Sequence, residues 1–474
     1  MQSVALLFLS VHNAHREETI LGKYRGVVTY HLLPAKVNMG TYMKIFLFML
    51  AVCWLIPAVV LGRVCEPLPP PTGNIVRVDT TSQLENAINT ASSGDAILLA
   101  DGTYNLNGVY LWIDTPNLTL RSKSGNAGAV ILNGSYVTTE IITITASNVT
   151  IADLTLKRAY NHPIHVVPSS SGDIVNARIY NVHIIDPGQQ AIKINQYDNF
   201  FADFGEIACS RIELTDAGRT NTRNDCYTGG VDAHQARGWV IRDNSIEGFW
   251  CEYGLSEHAI HFWRGSRDTI VERNVLVDNA RGIGFGLTDS GSGRTYSDNP
   301  CPGAGYVGHH GGTIRNNFIF QNRQQLNESQ DGFDCGICLA QACDTKVFHN
   351  TVVSTATPFS SIEWRFSNTD ATITNNLVSH NLLERDGASA SLTANLDHQP
   401  LSLYVDGAGG DLHLAENANV AIDKGVPIGE NLCYDDIDGD HRDITPDIGA
   451  DEVVKSLNIK NLPLLPLLLL DDKF

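Results

Sequence analysis

Two short apolar patterns recur along most of this chain, and their repetition limits the fold more than any other feature. The first has the form apolar-x-x-Asn-x-apolar, and its asparagines are Asn244, Asn274, Asn317, Asn350 and Asn376. The second alternates apolar and other residues, and its first apolar positions are Ile164, Ile192, Val231, Ile260, Ile283, Ile337 and Ile362. Its members follow one another at intervals of 23 to 54 residues. Constant strands separated by loops of variable length indicate a solenoid.

Each repeat contains two short strands joined by an asparagine-bearing bend, which is typical of a parallel β-helix. We therefore predict an all-β, single-domain β-helix over residues 74–452, in which the bend asparagines take positive φ and form a hydrogen-bonded ladder. Ile260, Phe262, Ile283 and Phe285 are expected to stack inward. The segment Ser82–Glu85 reads as a capping box, and it predicts a short amphipathic helix that precedes the first strand and covers the open end.

The termini predict an exported protein. A lysine and the apolar run 45–61 indicate a signal peptide at 43–62, with an uncleaved membrane anchor as the alternative. Residues 1–42 are interpreted as a non-native leader, 63–73 as a proline-rich linker and 453–474 as a tail. We expect a secreted, periplasmic or cell-surface location and no membrane span in the mature chain. Export favours disulfides, so we interpret Cys335, Cys338 and Cys343 as disulfide or free thiols rather than metal ligands.

The charge restricts the partners. A net charge of −19 argues against nucleic acid and against an anionic membrane surface. It also argues weakly against a polyanionic sugar, unless local arginine, lysine or a bound cation reverses the field. We expect a monomer.

The opening LxxAIxxAxxGDxILLxxGTY and the repeats resemble the pectin-lyase-fold superfamily. The resemblance covers residues 74–452 and includes the ending DIDGDHRDITPDIGADE at 436–452. It implies a right-handed helix with three parallel sheets. Because the group includes pectate, alginate and chondroitin lyases and alginate C5-epimerases, it also implies a polysaccharide as substrate or ligand. Such motifs specify the fold strongly and the chemistry weakly.

Strand alternation places the residues between the apolar positions on the outer face of one sheet. One predicted row is His165, Lys193, Asp232, His261, Gly284, Cys338 and Glu363. The row beside it is Val167, Asn195, His234, Trp263, Gly286, Ala340 and Arg365. Both are expected to face solvent, with Gly282, Gly284 and Gly286 leaving the face bare, and the insertions 196–229 and 287–311 walling a groove. An outer sheet face is often merely polar, but two histidines, an aspartate and a tryptophan side by side favour binding or catalysis.

Uronate lyases and epimerases, which the resemblance suggests, need a cation for the sugar carboxylate, a base for the C5 proton and a second acid. The predicted catalytic residues are His261, His234, Asp232 and Lys193. The predicted substrate-binding residues are Asn195, Trp263, Arg264, Arg267, His258 and Glu257. Asp232-x-His234 resembles the Asp-Pro-His-Asp segment of alginate C5-epimerases, with Ala233 and Gln235 departing from it.

Two other functions stay open. A glycoside hydrolase would use Asp232 with Glu257 or Glu252, and a non-catalytic carbohydrate-binding or cell-surface β-helix protein would rely on Trp263. No metal ligand is predicted within the site, and the pair His309 and His310 is weak evidence for one. The only cofactor considered is calcium, at the Asp436, Asp438 and Asp440 run. We favour a closing turn there, in which Arg442 pairs with Asp447 or Glu452.

Overall fold

The computed structural model describes residues 65–223, 226–429 and 432–454. The chain divides into two units, Met1–Leu61 and Gly62–Phe474, and the fold below is that of the second. The predicted leader, the signal peptide and all but the first two residues of the tail lie outside the described residues. Within the described ranges, no helix is both long enough and apolar enough to cross a membrane.

Three long parallel sheets dominate the described residues. Sheet 1 has twelve strands: Ile75–Val78, Ala96–Leu99, Thr119–Ser122, Thr150–Ala152, Arg178–Tyr180, Glu206–Ala208, Val240–Arg242, Ile270–Glu272, Thr313–Arg315, Thr345–Phe348, Asp370–Thr374 and Ser389–Thr393. Sheet 2 has ten: Leu111–Ile113, Ile142–Ile144, Ile164–Val166, Gln190–Ile194, Gly229–His234, Ile260–Trp263, Arg281–Phe285, Cys335–Ala340, Ser360–Arg365 and Leu382–Arg385. Sheet 3 also has ten: Gly102–Asn105, Val130–Asn133, Thr155–Lys157, His183–Ile185, Arg211–Glu213, Ser245–Glu247, Val275–Val277, Phe318–Gln321, Thr351–Ser354 and Leu377–Val378.

Shorter elements complete the fold. Two small parallel sheets comprise Ile174–Val175 with Ala202–Asp203, and Ser266–Arg267 with His309–His310 and Ala342–Cys343. Among the described residues, the α-helices are Thr81–Asn89, Asp216–Arg219 and Gln324–Asn327, and the 3-10 helices are Ala127–Ala129 and Leu401–Leu403. The chain visits the three long sheets in turn and pairs each strand with one in the next coil, so the predicted parallel β-helix is confirmed.

Sheet 2 has the register that the apolar repeat predicts. Ile260 pairs with Ile283, and Phe262 pairs with Phe285. All four side chains are completely buried. The interior is therefore a stack of identical apolar positions, because a parallel register repeats each inward side chain above its counterpart in the coil below.

The asparagine ladder is present, but its backbone differs from the prediction. The Nδ2 of Asn274 donates to Oδ1 of Asn317 at 3.0 Å, and Asn317 donates in the same way to Asn350 at 2.9 Å. The ladder also continues beyond Asn376 to Asn395. Positive φ belongs to the residue before each repeat asparagine: Asp243, Arg273, Asn316, His349 and Asn375. Asparagine is therefore favoured at the ladder positions by the hydrogen bonds of its amide group, and not by a positive φ angle at the bend.

The capping helix forms, with two corrections. It spans Thr81–Asn89, and its N-cap is Thr80, whose side chain accepts a hydrogen bond from the Gln83 N–H at 3.2 Å. The predicted box beginning at Ser82 is therefore displaced by two residues. The helix follows the strand Ile75–Val78 rather than preceding the first strand. Leu84, buried on its inner side, joins the main core.

The predicted linker is docked onto the body of the fold. Cys65 forms a disulfide with Cys209, and Tyr180 Oη donates to the Glu66 carbonyl at 2.6 Å. Arg121 donates to the Pro69 carbonyl at 3.0 Å. Residues 65–73 are consequently a strap along sheet 1, which proline residues suit because they leave few backbone donors unpaired.

The coils end earlier than predicted, since the last strand of the long parallel sheets is Ser389–Thr393. The chain then forms an antiparallel pair, Tyr404–Asp406 with Asp411–Leu414, and packs against sheet 3 through a second core that includes Phe318 and Leu412. The predicted closing turn is present there, because Arg442 pairs with Glu452 at 3.2 Å.

The carboxylate of Asp436 takes part in the same turn, where it accepts hydrogen bonds from the N–H groups of Asp438, Asp440 and Glu452. The acidic run therefore satisfies backbone donors of its own turn.

Candidate functional site

The predicted outward row lies on one face of sheet 2, but that face is covered. Lys193 pairs in register with Asp232, which pairs with His261. The three residues are only 4%, 1% and 0% exposed. The expectation that this row faces solvent is wrong, because the segments between the strands fold back over it and bring Tyr227, Glu257 and His258 onto it.

A charged pair forms the centre of the site. Lys193 Nζ pairs with Asp232 Oδ2 and donates to Tyr227 Oη at 3.0 Å. Burial opposes the charge on each partner, yet the nearby opposite charge outweighs it, so the pKa of Lys193 is raised. For the same reasons the pKa of Asp232 lies well below its usual value. The pair therefore stays ionised and fixes the groups around it.

Two titratable side chains lie between this pair and the surface. His234 Nε2 lies 3.1 Å from Lys193 Nζ, and because an ammonium can only donate, this nitrogen accepts and carries no proton. Burial lowers the pKa of His234, although its contact with Asp232 opposes the shift. Burial raises the pKa of Tyr227, whose hydroxyl lies 3.4 Å from Asp232 Oδ2. The site thus presents a neutral imidazole beside a neutral phenol.

His261 lies beneath these groups and is fully buried. Its Nε2 donates to the Gly286 carbonyl at 3.1 Å. Its Nδ1 lies 3.5 Å from Asp232 Oδ1 and 3.1 Å from Glu257 Oε2. The His261 side chain is therefore too deeply buried to contact a substrate, and it affects the site through its contact with Asp232.

Trp263 also supports Asp232. Its indole Nε1 donates to Asp232 Oδ1 at 3.0 Å, and its ring stacks on His261 with planes 5° apart. The edge of His234 packs against the same ring, with centroids 4.8 Å apart. Trp263, which was predicted to bind substrate, thus packs against His261 and His234 and holds Asp232 by a hydrogen bond.

The predicted arginines differ from each other. Arg267 is held by Asp298 at 2.6 Å and by Asp268 at 3.0 Å, which leaves little capacity for a substrate. Arg264 lies beside Trp263, with its guanidinium 5.4 Å from the ring centroid. Within the part of the chain that the structure describes, Arg264 forms no ion pair. It is therefore the predicted arginine that keeps its charge available for a ligand.

Asn195, predicted to face solvent and bind substrate, directly follows the strand Gln190–Ile194, and its Oδ1 is a buried acceptor without a hydrogen-bond partner. The Oε1 of Gln196, the next residue, is in the same condition. Buried acceptors without partners are uncommon in proteins.

The glycine track is not bare. A Cβ at Gly284 would lie 2.6 Å from ring atoms of His258. A Cβ at Gly286 would lie 1.8 Å from the Ala340 carbonyl oxygen. The glycines make room for protein groups rather than for a sugar ring. Below them, a small cavity of about 40 Å³ is lined by His258, Arg281, Asp334, Glu363 and Arg365, together with Cys335 and Cys338.

The described cysteines form the disulfides Cys65–Cys209, Cys226–Cys251, Cys301–Cys343 and Cys335–Cys338, while Cys433 is buried and free. Cys226–Cys251 matters for the site, because it ties the chain next to Tyr227 to the segment that leads to Glu257. Sequence reasoning missed Tyr227. The available signal was its place at the end of the insertion 196–229, two residues before the strand Gly229–His234.

Sequence reasoning also missed an exposed aromatic residue at the amino-terminal end of the row. Trp112 pairs with Thr143, Thr143 with His165, and His165 with Lys193. Trp112 is 42% exposed, and Tyr110 packs beside it with centroids 5.8 Å apart. Three inter-strand spacings separate Trp112 from Lys193, or about 14 Å. The row was predicted only from Ile164 onward because the earlier coils lack the clear repeat.

No protein-family model matches the chain, and no curated protein matches it in sequence. Among solved structures, the pectate lyase Pel9A superposes with a TM-score of 0.51 at 14% identity, covering 80% of this chain and 97% of that one. The fold is the right-handed parallel β-helix. An alginate lyase from Paenibacillus sp. str. FPU-7 matches with a TM-score of 0.46 at 16% identity, covering 69% of this chain and 98% of that one. A polygalacturonase from Erwinia carotovora ssp. carotovora matches with a TM-score of 0.43 at 11% identity, covering 71% of this chain and 95% of that one.

Proposed function

We propose that this chain is an exported enzyme that acts on a uronate-containing polysaccharide by proton transfer, as a lyase or a C5-epimerase. The observation that carries the proposal is the ion pair of Lys193 and Asp232, which holds the unprotonated Nε2 of His234 and the hydroxyl of Tyr227 together at the edge of a sheet face. A base and an acid fixed beside each other are the groups that removal and return of a C5 proton require.

In this proposal, His234 removes the C5 proton once substrate binding frees its Nε2 from Lys193 Nζ, and Tyr227 gives a proton to the leaving oxygen or to the opposite face of the sugar. Both side chains are only partly buried, so a substrate can reach them. Lys193, Asp232 and His261 are positioning residues, because they are covered and act through His234 and Tyr227. Lys193 also offers positive charge close to the sugar carboxylate as negative charge develops.

In this proposal, a polysaccharide chain approaches the site from the exposed amino-terminal end of the row. Trp112 and Tyr110 offer exposed rings about three coils from Lys193, and Arg264 offers a cation beside Trp263. Sugar rings bind aromatic faces and hydroxyl-bonding groups of this kind, and pectate lyase Pel9A, which has this fold, supports a uronate substrate.

The buried state of Asp232 argues against hydrolysis. Glycoside hydrolysis uses two carboxylates that flank the scissile bond, and both need access to it. Asp232 is 1% exposed and is paired with Lys193, so it is not available as a nucleophile or an acid. The four disulfides support export, since such bonds persist in oxidising compartments.

The test is turnover of a panel of glycans that includes pectate, alginate and chondroitin. Unsaturated products are followed by ultraviolet absorbance, epimerisation by NMR, and hydrolysis by new reducing ends without unsaturation. We expect unsaturated or epimerised uronate. Replacement of His234 by Gln or of Tyr227 by Phe should reduce kcat by about 10²–10⁴, the usual effect of removing a general base or acid.

The control is His398→Gln, since His398 is an exposed histidine remote from the site and should retain full rate. A melting curve for each variant separates loss of activity from loss of fold. New reducing ends without unsaturation would support the hydrolase alternative. Binding without turnover that is lost in Trp112→Ala would support a carbohydrate-binding protein instead.

A further inference from the structure

Three buried polar atoms converge beneath Asp232 without a hydrogen-bond partner. They are Glu257 Oε2, His258 Nδ1 and His261 Nδ1. Ligand atoms of these three residues all lie within 4.8 Å of one another. Glu257 Oε2 is 3.1 Å from His261 Nδ1 and 3.9 Å from His258 Nδ1. A buried polar atom without a partner is costly, and three that face one point need a common explanation.

The tautomer of His261 leaves its Nδ1 without a proton. A backbone carbonyl can only accept, so the ring carries its proton on Nε2, where it donates to Gly286. Its Nδ1 then directs a lone pair at the carboxylate oxygens of Glu257 and Asp232. Acceptors that face one another at these distances need a cation between them, which is either a second proton on the ring or a metal ion.

His258 favours the metal ion. The ring is 2% exposed and lies over Gly284, where any Cβ would collide with it. A second proton on His261 would satisfy Glu257 but would leave Nδ1 of His258 unpartnered. A metal ion would satisfy all three atoms together.

We propose that Glu257 Oε2, His258 Nδ1 and His261 Nδ1 bind one divalent transition-metal ion, with zinc as the reference ion. Two nitrogens and one carboxylate oxygen are a donor set of zinc and its first-row neighbours. Two ligands on one tetrahedral zinc ion lie about 3.4 Å apart, given bond lengths of about 2.0–2.2 Å. The separations of 3.1 and 3.9 Å bracket that value. Calcium is disfavoured, because it takes oxygen ligands in larger number.

The surroundings supply the supports that a metal site needs. The Gly286 carbonyl fixes the ring of His261 in the orientation that turns Nδ1 toward the site. Asp232 Oδ1, which accepts a hydrogen bond from Trp263, lies 3.5 Å from the same Nδ1. The ion would therefore carry its charge next to the carboxylate that anchors Lys193. The inference goes beyond the proposed function and does not depend on it.

Other groups of potential ligands in the described residues provide comparisons. Cys335 with Cys338, and Cys301 with Cys343, are joined as disulfides, so their sulfurs are not thiolate ligands. His413, Asp438 and Asp451 form a further cluster, but there both nitrogens of His413 are engaged by Asp411 and Asp438. His413 is therefore a suitable control position.

The experiment is zinc binding by the intact purified chain in the absence of any glycan, so its outcome is independent of the proposed activity. After treatment with a chelator, equilibrium dialysis with Zn²⁺ and elemental analysis should give one ion per chain. Glu257→Gln and His258→Ala should each weaken zinc binding at least 100-fold, whereas His413→Ala should bind as the wild type does. The melting temperature of each variant without metal verifies its fold.

A measurement on the wild type keeps the test decisive if a variant fails to fold. The X-ray absorption spectrum of the zinc-loaded chain should show nitrogen and oxygen neighbours at about 2.0–2.2 Å, including imidazole scattering. Sulfur neighbours would assign the ion to the cysteines and overturn the proposal. So would the absence of stoichiometric zinc, or full binding by both Glu257→Gln and His258→Ala.

Discussion

Phe285 stacks on His309, with ring centroids 3.8 Å apart and planes within 10° of each other. Both side chains are completely buried. Both nitrogens of His309 are engaged, one by the Gly311 carbonyl at 3.1 Å and the other by Thr269 Oγ1 at 2.9 Å. The His309 and His310 pair that the sequence offered as weak evidence for a metal thus includes a histidine that joins the interior to the neighbouring loop.

Phe285→Ala should lower the free energy of unfolding by about 3–5 kcal/mol, because it removes a ring from a closed core and from the face of His309. Urea unfolding at fixed pH measures the change. Phe359→Ala is the matched control, since that ring is 50% exposed and should cost much less. A loss below about 1 kcal/mol at Phe285 would contradict its place in the core.

His309 should make stability depend on pH in the acid range. Burial lowers its pKa to about 3, from an ordinary value of 6.5. Between these values the unfolded chain binds the proton that the folded chain refuses, so the free energy of unfolding should fall as pH is lowered from about 6.5 toward 3. His309→Gln should flatten this dependence by up to about 1.4 kcal/mol per pH unit. Unfolding curves at several pH values check it, and an unchanged slope would refute the assignment.

The fold could be predicted from the repeat because every coil pairs with the next in the same parallel register. The apolar positions Ile260 and Ile283 are set directly above each other by the same alternation that was visible in the sequence. Loops follow no such rule. Nothing in the spacing of the strands shows that Tyr227 and His258 fold back over the face, so a row that was predicted to be exposed is buried.

The same distinction explains the site. The strand register alone predicts which residues share the row. It places Lys193 beside Asp232, and Asp232 beside His261. The roles depend on distances and on access, which the strands do not determine. His261, which was predicted to be catalytic, is therefore buried, and Trp263, which was predicted to bind substrate, donates a hydrogen bond to Asp232.

Removal of the Cys65–Cys209 disulfide should release the strap of residues 65–73 from sheet 1. The bond closes a separation of 144 residues, and loss of a native disulfide typically costs about 2–5 kcal/mol. We expect the double change Cys65→Ser and Cys209→Ser to lower the melting temperature and to expose the strap to limited proteolysis. Tyr180→Phe, which removes only the hydrogen bond to the Glu66 carbonyl, is the milder control. Equal protection of the strap in all three proteins would show that the disulfide is dispensable.

The buried ladder should be far more sensitive to substitution than the exposed pairs that resemble it. Asn317 accepts hydrogen bonds from the backbone and side chain of Asn274 and donates to Asn350 and to the Val271 carbonyl, all without access to water. Asn317→Ala leaves several of these groups unpaired and should cost about 2 kcal/mol or more. Asn133 donates to Asn105 in an exposed pair, so Asn133→Ala should cost less than about 1 kcal/mol, because water replaces the lost bond. Urea unfolding of the two variants gives the comparison. Similar losses at both positions would mean that burial of the amide row does not determine its contribution, and that the ladder is a consequence of the stacked coils rather than a cause of their stability.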